Sequence, residues 1–124
     1  MQSVLWISLG AILGANARYF LGQFIAKAAA STLPYGTLII NATGSFVLGF
    51  FLVWTTERVF ADPRWRLLIA IGFCGSYTTF SSYAYETFAF FEQGQLLVSV
   101  LNILASNVLC LICVLAGAAL ARAL

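Results

Sequence analysis

Between Gly72 and Glu86 the chain reads GFCGSYTTFSSYAYE, a stretch in which the hydroxyl residues Ser76, Thr78, Thr79, Ser81 and Ser82 crowd around Phe80 and Tyr83. These residue types can take over the hydration shell of a small ion. Hydroxyls donate and accept hydrogen bonds, and an aromatic ring carries a positive edge as well as a negative face. Phe80 and Tyr83 stand three residues apart, so on a helix their rings share a face. Edges turned into a narrow pore attract a dehydrated anion; rings packed against a neighbouring helix or lipid do nothing of the kind, and both readings stand. Two further groups carry similar chemistry. Asn41, with Thr43 and Ser45, falls in YGTLIINATGSFVLG, and Asn102, Ser106 and Cys110 recur at i, i+4, i+8 with Asn107 beside them.

The elements that must position these groups are membrane helices. Hydrophobic residues make up 62% of the 124 and charged residues 8%, against roughly a quarter charged in soluble domains, and the mean hydropathy is +0.98. Apolar blocks run from Val4 to Ala26, Tyr35 to Thr56, Leu67 to Phe91 and Leu96 to Leu120. Each is near the length of about 20 residues that crosses a bilayer. The expected fold is therefore all-α, with one domain of four transmembrane helices. The first block is read as mature chain rather than a cleaved leader, since it lacks a basic start and holds Asn16 and Arg18 within the span. The third span has its midpoint near Thr79, so the hydroxyl run lies at the midplane. Polar side chains and loosened backbone persist at that depth only when buried in protein or lining a watery path. We therefore expect the third helix to be broken there, at an ion site, with the ladder interrupted over Gly75 to Thr78.

Several functions are excluded by inventory. The chain has no histidine, its cysteines Cys74, Cys110 and Cys113 sit inside apolar blocks, and its carboxylates, Glu57, Asp62, Glu86 and Glu92, are few. Neither a transition-metal site nor a catalytic constellation can be assembled from that set. The net charge of +2 offers no basic patch for nucleic acid. In the first helix Gly10 and Gly14, at i, i+4, permit close helix approach. Arg18, deep in the same helix, is expensive, by roughly 2.5 to 3.5 kcal/mol at a helix centre; it either snorkels to the interface or attracts anions from a vestibule. Asn41 either bonds across helices or coordinates a passing ion. Polar residues on all four helices exceed what one four-helix unit can pair internally, so an oligomer with a polar seam is expected.

Three strings then show a resemblance that covers nearly the whole chain: GANARY from Gly14 to Tyr19, GTLIINATGSFVLG from Gly36 to Gly49, and GSYTTFS from Gly75 to Ser81. The chain resembles the Fluc (CrcB) fluoride channels. The resemblance implies a dual-topology antiparallel homodimer in the bacterial inner membrane. It also implies two fluoride pores along the subunit interface and a structural sodium ion at the centre. Carried onto this sequence it makes Asn41 the pore asparagine and Phe80 a pore phenylalanine, with Ser81, Ser82 and the Asn102, Ser106, Cys110 stripe extending a polar track. It places the backbone carbonyls of Gly75 and Thr78 around sodium, while Arg18 and Glu86 are read, from their own positions, as vestibule residues. Position 83 is phenylalanine in the family pattern and Tyr83 here.

Two rivals belong to other classes. A proton-coupled exporter of the small multidrug-resistance type needs a titratable acid in the membrane core; the first helix has none, and Glu86 lies toward one end of the third. A structural membrane subunit would use the polar stripes as assembly glue. Passive fluoride efflux needs neither pump nor enzyme chemistry, because an inside-negative potential supplies about 2.3 kcal/mol per charge per 100 mV. The charge count sits awkwardly with two orientations. Arg58, Arg64, Arg66 and Arg122 fall on the side of both termini and Lys27 on the other, joined by Arg18 if it snorkels that way, which by the positive-inside rule alone favours N-in, C-in.

Overall fold

A computed structural model describes residues 2–29, 33–57 and 62–124, and all the regular structure in them is helical. The order is α1 (Gln2–Ala29), α2 (Tyr35–Glu57), α3 (Pro63–Trp65), a π-helical segment (Arg66–Cys74), α4 (Gly75–Tyr77), α5 (Phe80–Glu92) and α6 (Leu96–Ala123). Three of these, α1, α2 and α6, are long and apolar enough to span a membrane. They extend the expected first, second and fourth spans by a few residues.

The expected third span, Leu67–Phe91, is instead a chain of shorter pieces. The helical run ends at Tyr77; Thr78 (φ −79°, ψ 157°) and Thr79 (φ −150°, ψ 114°) are extended; and α5 restarts at Phe80 with Thr79 as its N-cap. Thr79 Oγ1 accepts from Ser82 N–H at 3.2 Å, which meets one of the orphan donors of the new helix. The extended pair Thr78–Thr79 overlaps the expected stretch, Gly75 to Thr78, at its last residue and begins three residues later. Gly75 is itself helical (φ −62°, ψ −30°), and the break is made by two threonines that hydroxyl bonding can hold out of the helix.

Close backbone contact fixes the first half of this region. A methyl group at Gly10 would run into Leu68 O, and one at Gly14 into Phe73 O, so the two glycines let α1 lie directly on the π-helical segment. The hairpin from α5 to α6 turns at Gly94, whose φ of 72° is left-handed. Gly94 N–H reaches Phe91 O and Gln95 N–H reaches Phe90 O, each at 2.9 Å, which satisfies carbonyls at the end of α5. α6 then returns along both α5 and α2, and an exposed Arg122–Glu57 pair at 3.1 Å links the far ends of α6 and α2. Cys74 is almost fully buried at the centre, as a packing residue. Of the cations in the orientation count, Arg58 lies outside the described residues.

Candidate functional site: an amide clamp between two cavities

The break is held by α2. Asn41 Nδ2 donates to Thr79 O at 3.0 Å, and Thr79 N–H donates to Asn41 Oδ1 at 2.8 Å, so the side-chain amide pairs with the extended peptide as a strand would. This pairing needs α2 close to the break, and Gly44 permits it: a methyl there would collide with the Thr78 side chain. Tyr77, buried just before the break, is tied to the same helix through a 2.9 Å contact between its hydroxyl and Thr43 Oγ1. Asn41 retains one N–H and one lone pair beyond the clamp. Among the described residues it therefore both bonds across helices and keeps a donor free.

Thr79 stands between two cavities. The outer one, about 610 Å³, is lined by Arg18, Gln23, Thr37, Thr79, Ser82 and Glu86. In it Glu86 Oε1 accepts from Thr37 Oγ1, while the buried Oε2 has no hydrogen-bond partner among the described residues. The inner cavity, about 380 Å³, takes in Asn41, Thr79, Phe80, Tyr83, Ser106 and Cys110, and none of its described lining side chains is charged. The Phe80 and Tyr83 rings are 5.3 Å apart and tilted at 60°, which turns edges as well as faces to their surroundings. Phe80 is 78% exposed in the single chain.

The structure divides the residues expected to share one track. Ser106 and Cys110 join Asn41, Phe80 and Tyr83 in the inner cavity, whereas Ser82 joins Arg18 and Glu86 in the outer one. Ser81 bonds to Thr79 Oγ1 at 3.2 Å. Asn102 is drawn away: it donates to Thr87 Oγ1 at 2.8 Å and lines an apolar cleft with Tyr35 and Leu38. Thr37, Thr87 and Asn107 were not singled out for these roles by sequence. Their partners lie far along the chain, where helical periodicity gives no signal.

The carbonyls of Gly75 and Thr78 fit the chemistry of a hard monovalent cation. Thr79 N–H, four residues on from Gly75 O, is turned to Asn41, and Ser82 N–H, four on from Thr78 O, is turned to Thr79 Oγ1. Both carbonyls thus lose their usual helical donors, and the side of Gly75 where a methyl would stand is open. Among the described residues no cluster of three histidine, cysteine or acidic side chains offers a competing metal site.

A family model described as CrcB-like protein, Camphor Resistance (CrcB), matches residues 5–118. Three relatives, each named a fluoride-specific ion channel FluC, align along the whole chain. They come from Koribacter versatilis (61% identical, covering 98% of that protein), a Sulfurihydrogenibium species (45%, covering all of it) and Citrifermentans bemidjiense (40%, covering all of it).

Proposed function

The chain belongs to the CrcB-like family, a family of channels rather than enzymes, and from that premise we propose that it is a fluoride-selective channel through which the anion leaves the cytoplasm passively. One observation supports this above the others. Amide, hydroxyl and ring-edge groups converge on an uncharged cavity at a helix break, one residue away from a mouth that holds an arginine. An anion that has shed water needs donors, yet a fixed positive charge inside would hold it too tightly to pass; conduction requires binding strong enough to admit the ion and weak enough to release it. Neutral dipoles meet both demands.

The working unit in this reading is an antiparallel homodimer of dual topology in the bacterial inner membrane, with two pores along the subunit interface. The single chain supports a dimer because Phe80 is bare and the inner cavity is open on one side. A third helix broken near the bilayer midplane would place the Gly75 and Thr78 carbonyls of both copies around one structural sodium ion on the twofold axis. The ion's task there is to satisfy carbonyls that would each cost several kcal/mol unpaired in hydrocarbon.

Liposomes that contain only this protein test the proposal. Fluoride efflux that requires a charge-balancing potassium shunt supports the channel. Proton-dependent exchange of a lipophilic cation would instead mark an exporter, and absence of flux a structural subunit.

A further inference from the structure

Tyr83 is the inner-cavity residue whose hydroxyl has a partner that dictates its direction. Asn107 Nδ2 donates to Ile103 O at 2.7 Å and to the Tyr83 hydroxyl at 3.2 Å. A backbone carbonyl can only accept, so the Ile103 bond fixes which end of the amide carries the nitrogen. Both Nδ2 protons are then committed, and in this pair the phenol oxygen accepts. The phenol has one proton of its own left. Among the described residues no acceptor takes it, and the group lines the cavity of Asn41, Phe80 and Ser106. A hydroxyl whose oxygen already accepts a hydrogen bond is polarised into a better donor.

We propose that Asn107 is a positioning residue that presents the Tyr83 O–H as a hydrogen-bond donor to the dehydrated anion beside Phe80, and that this donor raises the preference for fluoride over chloride. The inference rests on the channel reading above. Its physical basis is size: attraction to a donor proton grows as the separation shrinks, and fluoride approaches an O–H more closely than the larger chloride can. A ring edge alone makes a softer distinction, because its partial charge is spread over several C–H groups. Asn107, outside the stripe of Asn102, Ser106 and Cys110, lines the same cavity, but with both Nδ2 protons committed to Ile103 and Tyr83 it has none left for the ion and would contribute to selectivity through the phenol.

The test measures fluoride and chloride efflux separately from liposomes holding purified dimer. Loss of one hydrogen bond to an ion is worth about tenfold or more, so Tyr83→Phe is expected to lower the fluoride-to-chloride flux ratio by about that factor. Asn107→Asp is nearly isosteric but carries no N–H; its carboxylate would accept the phenol proton and remove the donor from the cavity, so the ratio should fall similarly. Asn107→Leu should lower it too, yet change nothing further when Tyr83 is already Phe. A ratio that stays at the unmodified value in either Tyr83→Phe or Asn107→Asp overturns the proposal, as do effects of Tyr83→Phe and Asn107→Leu that simply add. If the unmodified protein carries no fluoride at all, the channel reading itself fails, an outcome distinct from conduction with unaltered selectivity.

Discussion

The two cavities that meet at Thr79 differ in kind. The outer one carries full charges, Arg18 and Glu86, while the inner one is smaller and lined by amide, hydroxyl, thiol and aromatic groups. Charge acts at a distance but is screened where water and salt reach it, within about 10 Å at 0.1 M. Dipoles act only on contact, and strongly where water is excluded. Under the proposed channel function the contrast implies a division of labour, in which the mouth would gather anions and the chamber would replace their water. Asn41 links the two, since its amide builds the wall that both share.

The sharpest way to break this division is to put a charge where the chamber has none. Asn41→Asp keeps the shape, replaces the donor to Thr79 O with a repelling oxygen, and sets a negative group on the anion's path. Fluoride efflux from purified protein that still elutes like the unmodified one should fall at least about a hundredfold, the scale of one buried hydrogen-bonded group lost together with an unfavourable charge. Unaltered flux would remove the chamber from the pathway. Stripping sodium should come next. If the Gly75 and Thr78 carbonyls hold it, efflux should collapse in rigorously sodium-free buffer and return on adding it back, while no sodium current appears under a sodium gradient.

A smaller loss is expected from Phe80→Ile, which keeps an apolar side chain but removes the ring edge. Flux should drop about two- to tenfold, in line with an aromatic contribution of about 0.5–1.5 kcal/mol beyond burial; a normal rate would assign the ring to packing. Smallest are the charges at the mouth. Arg18→Gln should slow fluoride entry a few-fold and Glu86→Gln should speed it, and both differences should shrink as ionic strength rises. Effects that persist in high salt would place these side chains in contact with the ion rather than around its approach.

Much of this contrast was legible in the sequence, and the limits have a physical cause. Composition and block length give an all-helical membrane chain, and the family named from three strings is the one to which it belongs. The hydroxyl cluster marked the break to within a few residues. What could not be read was which polar groups satisfy each other. The clamp joins Asn41 to Thr79, 38 residues on, and the Thr37–Glu86 bond spans 49. Periodicity tells which residues share a face, not which face they meet. The stripe of Asn102, Ser106 and Cys110 shows this: one helix face is continuous, but α5 reaches only part of it, and Thr87 takes Asn102 out of the group. The π-helical segment, Arg66–Cys74, left no mark in residue types; it packs directly on Gly10 and Gly14 of α1, a contact that only the fold creates.

The most direct measurement is the reversal potential of the purified protein in a planar bilayer, with a fluoride gradient across it and equal chloride on both sides. The predicted result is reversal close to the equilibrium potential of fluoride, in sign and size, because the uncharged chamber passes that anion and little else. Reversal near zero, or a potential that follows the proton or sodium gradient, would contradict it.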